Sequence, residues 1–404
     1  MIRCKICHHS LPGFLNEIGR MRWGLLICFS LVAASSVSLH GQQVKTPVSA
    51  GSAIPHAETG TPDDPDPEEG AEREANPAIA LQPNWLFSTD SDSNSRNQLK
   101  LKSSIATGSH TRIGLLVGES LISNSVSGSN TEEIRDTGLT GQWHPSEMLK
   151  LEGMAGVSIA KATTNADEQP VGQVTTPITN VQAHFTPAGE TLKLDLGFER
   201  SIYDLSPQLV ANRVVRNQFV IHPQLALTNG WRVRALAEIG PMTRPGESNA
   251  RYNSEFTIGH KVGKGSELYS TYGLLHYAHA SDAGYFSPDL VHNLQGGWSG
   301  DIDRGSFSLS LDLALGADRA KEHGTEFGPW GVSGGAGSYL TWTIAEKGEL
   351  SGSYEYYYDQ SSPAVEPSPS GAWHMSIVTF SFRWAINGRQ GAQHTQHFVP
   401  RSQR

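Results

Sequence analysis

The chain has 404 residues, of which 37% are hydrophobic and 18% charged, with 42 glycines and a formal net charge of -9. So small an apolar share is a weak core supply for a soluble globule of this length and suits a fold in which apolar and polar residues alternate. The acidic balance lacks the basic stripe of a nucleic-acid binder, so no nucleic-acid partner is expected.

In chain order, the first feature is an export signal within residues 1–41. In "RMRWGLLICFSLVAASSVSLHGQQ", basic Arg20 and Arg22 precede an apolar run from Trp23 to Val37, and small residues follow. That is the order of a secretory signal peptide, and the run is short for a membrane helix. Translation is expected to start at Met21. Cys4, Cys7 and Cys28 all lie in or before this segment, so the exported chain has no thiol chemistry. "CKICH" at 4–8 has the form of a haem-attachment motif, but it lies upstream of the signal and reads as chance. Residues 42–80 are rich in Pro, Ala, Asp and Glu without apolar periodicity, which predicts a disordered acidic linker.

From residue 81 to 386 the pattern has period two. In "ETLKLDLGFER", Leu192, Leu194, Leu196 and Phe198 alternate with Lys193, Asp195, Gly197 and Glu199. In "SFSLSLDLAL", Phe307, Leu309, Leu311, Leu313 and Leu315 alternate with small or polar residues. Successive side chains of a strand point to opposite faces, so each such strand has one apolar and one polar face. The pattern predicts strands at 81–89, 97–107, 111–121, 134–143, 148–161, 174–186, 190–200, 214–227, 231–240, 251–262, 266–279, 290–300, 305–317, 330–344, 348–360 and 371–386. Sixteen are counted, the first on the weakest pattern, with fourteen as the alternative. Residues 387–404 form a polar tail.

A soluble sandwich and a membrane barrel both give this alternation. Connection length separates them. Short turns at 108–110, 144–147, 187–189, 228–230, 263–265, 301–304 and 345–347 alternate with longer connections such as 122–133, 162–173, 201–213, 280–289, 318–329 and 361–370. Short turns at one end and long loops at the other are the plan of an all-β, transmembrane, antiparallel up-and-down barrel of the outer-membrane type. The long loops would face outside the cell. Trp143, Trp231, Trp342 and Trp384 fall at strand ends, where membrane interfaces favour indole rings. The last strand puts Val378, Phe380, Phe382 and Trp384 on one face, similar to the terminal strand read by the barrel assembly machinery.

Sixteen strands enclose more space than side chains fill, so an aqueous channel is expected. The inward face carries Lys100, Lys102, Arg112, Lys150, Glu152, Lys193, Asp195, Glu199, Arg232, Arg234, Glu238, Arg251, Glu255 and Asp312. The mixed signs suit a hydrated, largely neutral polymer better than a strict anion or cation pore. No metal, cofactor or catalytic site is expected. His276 and His279 fall on opposite faces of one strand. His260, His292 and His374 have serines nearby, at Ser254, Ser299 and Ser376, without a sharp motif. No G-x-S-x-G, H-E-x-x-H or P-loop occurs.

One loop stands out. "HASDAGYFSPDLVHN", His279–Asn293, sets Tyr285 and Phe286 between Gly284 and Pro288. Pro288 fixes its own backbone angle and Gly284 permits an otherwise strained one, so the two rings are expected to be held rigidly as an aromatic surface at the pore mouth. The competing reading packs them on the barrel rim.

The run "YGLLHYAHASDAGYFSPDLVHNLQGGW", Tyr272–Trp298, resembles the C-terminal barrel of cellulose synthase operon protein C, whose members carry a G-Y-F-S-P block after an aromatic strand. "LGFERSIYDLSPQLVANRV", Leu196–Val214, is similar to that family's Arg-containing strand and following loop. The resemblance covers about residues 95–386 and lacks the family's tetratricopeptide repeats. It implies an outer-membrane pore for a cellulose-like β-glucan or related exopolysaccharide. The partners it implies are outer-membrane lipid, the polymer, a periplasmic repeat protein and an inner-membrane glycan synthase. A general diffusion porin, a structural outer-membrane barrel and a lipid-modifying barrel enzyme are the alternatives.

Overall fold

The computed structural model describes residues 79–125, 130–162, 172–187, 191–344, 348–360 and 372–386. The segment 1–41 expected as a signal region, residues 42–78 of the expected linker, the expected tail 387–404, most of the connection 162–173 and all of 361–370 lie outside the described residues, while Ile79 and Ala80, expected in the linker, open the first strand.

The strands are β1 (Ile79–Asp90), β2 (Asn94–Ala106), β3 (Thr111–Asn124), β4 (Asn130–Ser146), β5 (Leu149–Ala162), β6 (Gly172–Phe185), β7 (Leu192–Ile202) and β8 (Val215–Ala226). They continue as β9 (Trp231–Arg244), β10 (Glu247–Gly263), β11 (Ser266–Tyr277), β12 (Leu290–Arg304), β13 (Phe307–Lys321), β14 (Gly331–Ile344), β15 (Gly348–Asp359) and β16 (Trp373–Ile386). Each pairs antiparallel with its neighbours in sequence, and β1 pairs with β16 from Ile79↔Ile386 to Asp90↔Met375, closing a sixteen-stranded barrel. Closure leaves no edge strand with unpaired backbone groups.

The register carries the alternation around the whole wall. Asp312 on β13 stands opposite Ser299 on β12 and Gly337 on β14, all on the inner face, while neighbouring Leu313 is 53% exposed on the outer face. Leu115, Leu139, Ile221, Phe256, Leu294 and Leu315 repeat that outward exposure on other strands. A contiguous apolar surface of this extent marks contact with an apolar phase or a partner. At the short-turn end, Trp143, Trp231, Phe307, Trp342 and Trp384 form an exposed aromatic girdle on the outer face.

Two connections differ from the sequence expectation. The stretch 241–250 was expected as a long loop, but β9 and β10 run on and turn at Pro245–Gly246, where Gly246 has φ +81°. The link between β1 and β2 is also short, at residues 91–93. A third difference shapes the interior. The connection expected to face outside at 201–213 folds inward instead, as residues 203–214.

Candidate functional site

The inward segment begins with a helix the sequence encodes locally. Ser206 is the N-cap, its hydroxyl accepting from Leu209 N–H at 3.4 Å, and Pro207 opens the helix α1 (Pro207–Ala211). Proline suits a first turn, where its missing N–H would have no partner. The helix stops at Asn212, and Arg213 takes a left-handed φ of 57° that turns the chain back. Tyr203 N–H then donates to Val214 O at 2.8 Å, closing the segment at its base.

Its side chains tie two parts of the wall together. Val210 packs with Ile122, Ile134, Ala160 and Ile202 from β3, β4, β5 and β7. Tyr203, Leu209 and Val214 pack with Met242 of β9, Tyr277 of β11 and Ala283. Asp204 pairs with Arg96 of β2 at 2.7 Å. These anchors draw the segment across the inner face from β2 round to β11, at the end of the long connections. Burial pushes the Tyr203 phenol above its usual range, so it stays neutral.

The connection 278–289 backs this segment. Gly284 has φ +98°, and a Cβ there would come within 2.6 Å of the Gln208 side chain, so glycine serves both the turn and the close approach of α1. Asn212 Nδ2 donates to Ala283 O at 3.0 Å. Asn249 of β10 pins the connection by donating to His279 O at 2.8 Å and to the Tyr285 hydroxyl at 3.1 Å. Pro288 is buried, and its carbonyl accepts from Tyr277 N–H at 3.1 Å. Lys321 hydrogen-bonds Asp289 and holds its carboxyl below the usual range.

The expected aromatic surface at the mouth is therefore not what Tyr285 forms. Its ring lies 6.1 Å from that of Tyr203 and 5.5 Å from that of Tyr277, packed against the buried cluster. The rigidity read from Gly284 and Pro288 serves packing, because α1 offers an apolar partner that the sequence pattern does not place beside it. Phe286 is half-buried and stacks on no ring among the described residues.

The charged residues assigned to the lumen all face inward by register, and most are engaged. Arg251 and Glu238 form a pair at 3.1 Å with side chains only 4% and 1% exposed, so they are shut off from lumen water beneath the two connections. Arg232 and Arg234 converge on Glu267 at 3.3 and 2.5 Å. Asp195 meets His184 at 2.8 Å and His222 at 3.6 Å, and Glu199 meets Arg216 at 3.6 Å. Asp312 accepts from the Tyr269 hydroxyl, whose ring lies over Gly297 and leaves no room for a side chain there. Glu255 stands opposite Leu236 and Gly273, and Lys193 opposite Gln224. Of the histidine–serine neighbours, His292 faces outward and Ser299 inward, while His260 with Ser254 and His374 with Ser376 each share the outer face. No group of three or more His, Cys, Asp or Glu is placed to hold a metal among the described residues.

Signs are distributed unevenly. The wall from β12 to β16 carries Asp312, Asp318, Glu349, Glu355 and Asp359 on its inner face with Arg383. Its floor is small at Gly297, Ala314, Gly316, Gly335 and Gly337. The wall from β2 to β5 carries Arg96, Lys100, Lys102, Arg112 and Lys150, with Lys100 paired to Asp136 at 3.1 Å. Sequence reasoning missed Arg96, Asp204, Asn249 and the tyrosine cluster. The one available signal was the apolar Leu209, Val210 and Ala211 in a connection otherwise expected to be polar.

No protein-family model and no curated protein matches the sequence. Solved structures do. A protein described as a bacterial polysaccharide outer membrane secretin superposes with a TM-score of 0.55 at 12% identity, covering 77% of this chain and 100% of the other. The likeness is one of fold. A BenF-like porin from Pseudomonas fluorescens Pf-5 superposes with a TM-score of 0.40 at 9% identity, over 77% of this chain and 99% of the porin.

Proposed function

We propose that this protein is an outer-membrane pore through which a hydrated exopolysaccharide, a cellulose-like β-glucan or a related polymer, leaves the cell. The observation that carries the reading is a closed sixteen-stranded barrel with an apolar outer face, a polar inner face and an inward segment across part of one end. An apolar belt bounded by an aromatic girdle fits a bilayer, and a wet inner wall fits passage of a polar solute. The resemblance of the G-Y-F-S-P region to cellulose exporters and the fold likeness to a polysaccharide secretin support a polymer as that solute. The role needs no bond-making chemistry, with the driving force supplied by synthesis on the inner side. A periplasmic repeat protein and an inner-membrane glycan synthase would be its partners.

The test is current through single barrels in a planar bilayer. Cello-oligosaccharides should interrupt the current, with residence times that grow with chain length. A current that neutral glycans of every length leave untouched, together with free passage of small solutes, would make it a general diffusion porin.

A further inference from the structure

The outer face holds a cation that the pore does not use. On β13 the residues Leu313 and Leu315 are exposed and apolar, and Ala317 pairs with Leu294 and Val332, which are 51% and 49% exposed. The next outward residue is Arg319, opposite His292 of β12. Its guanidinium carbon lies 4.5 Å from the Phe327 ring centroid and 4.8 Å from that of Trp330, so two aromatic faces hold it. His292 packs on the same Phe327 ring at 5.2 Å. Among the described residues no carboxylate pairs with Arg319, and its Nε is buried without a hydrogen-bond partner. Lys321 beside it is already neutralised by Asp289 at 2.8 Å.

Depth places this cation. From the girdle residue Phe307 to Arg319, a strand rising about 3.3 Å per residue and tilted about 40° climbs roughly 30 Å, slightly more than the apolar band of such barrels. Arg319 thus stands where hydrocarbon gives way to headgroups, at the end of the long connections. A fixed guanidinium there lacks an anion, and planar forked donors match phosphate oxygens. Arg135, also outward at this end of the barrel, differs in having Glu119 and Glu133 as partners.

We propose that this outer face of β12 and β13 binds a phosphate of an outer-leaflet glycolipid, with Arg319 as its anchor and Trp330 against the sugar or acyl boundary. The inference rests on the outer-membrane placement proposed above. The full-length chain is folded into phosphatidylcholine vesicles, with insertion checked by heat-modifiable gel migration, then extracted into detergent with bisphosphorylated lipid A and examined by native mass spectrometry. Lipid A stripped of its phosphates and excess inorganic phosphate are the comparison probes. The bisphosphorylated form should be retained over the stripped form. Arg319→Gln should weaken that retention roughly tenfold, the ordinary worth of one charge-assisted contact. Arg319→Lys should keep part of it, and Arg135→Gln should change nothing. Inorganic phosphate should not displace the lipid. Equal retention by Arg319→Gln, equal binding of stripped lipid, an equal loss in Arg135→Gln, or displacement by inorganic phosphate overturns the inference while leaving an inserted barrel intact. A chain that never inserts overturns the outer-membrane reading and this inference together.

Discussion

Tyr285→Ala tests whether the connection 278–289 holds the inward segment in place. The substitution removes two ring contacts, at 6.1 Å to Tyr203 and 5.5 Å to Tyr277, and the hydrogen bond from Asn249 at 3.1 Å. Each aromatic pair contributes about 1 kcal/mol and the hydrogen bond about 1 kcal/mol, so the seated state loses about 3 kcal/mol. Asn249 keeps its bonds to the His279 backbone, so no buried amide is orphaned and the loss stays local. A change of that size shifts the balance between seated and released segment by roughly a hundredfold. Single-channel recording should show a matching rise in large-conductance openings, with heat-modifiable migration of the barrel unchanged. Phe286→Ala, which removes no ring stack, should leave the openings near the wild-type level. Unaltered conductance in Tyr285→Ala, with a folded barrel, would refute the argument that these rings seat the segment.

Further outcomes follow from the wall. Leu313→Arg should cost roughly 2–4 kcal/mol in a denaturant titration of folding into vesicles, whereas Asp312→Asn, one residue along and able to accept from Tyr269, should be close to neutral. The acidic wall from β12 to β16 should make the pore favour potassium over chloride in reversal-potential measurements, and Asp312→Asn with Glu355→Gln should lower that preference. A tag at Lys264 should be hidden in intact cells and one at Thr325 exposed, since the two lie at opposite ends of the barrel. Asp289 has a depressed pKa, so its bond to Lys321 is complete above the ordinary carboxylate value of about 4 and is lost as pH falls through the lower folded value; cleavage of 278–289 by an acid-stable protease should rise only in that acid window.

The barrel was legible because its signal is local and repeated. Each strand states its two faces within a few residues, as Leu311, Leu313 and Leu315 do against Asp312 and Ala314. Strand ends were less legible. Near Pro245 and Gly246 the pattern weakens, and the sequence does not say that β9 and β10 extend to a two-residue turn. The inward segment was legible only in its local helix signals, Ser206, Pro207 and the apolar Leu209–Ala211, and not in its direction. Val210 shares a buried cluster with Ile122, and Leu209 one with Met242, joining residues far apart in the chain that no periodicity encodes. The G-Y-F-S-P block lay between these cases: its stiffness followed from Gly284 and Pro288, but the direction of Tyr285 depended on α1.

The division of the inner wall bears on how such a barrel could open. The inward segment is held on one side by Arg96 and the β3–β5 contacts of Val210, and on the other by the tyrosine cluster and Asn212. These anchors run from β2 to β11 and on to Ala283 in the connection 278–289, which Asp289 ties to Lys321 of β13. The wall from β12 to β16 carries hydroxyls such as Ser353 and Thr379, bonded at 2.6 Å, that can exchange hydrogen bonds with a polar solute. The Arg96–Asp204 pair is partly exposed and worth about 1 kcal/mol or less, whereas the tyrosine cluster is buried and apolar. Release should therefore begin at the Arg96–Asp204 contact, ahead of the buried Val210 and tyrosine clusters, and hinge at Tyr203 and Val214, where the backbone bond at 2.8 Å closes the base. On that ordering Asp204→Ala should raise brief partial openings and Tyr285→Ala full ones, and the two records would differ in amplitude rather than only in frequency.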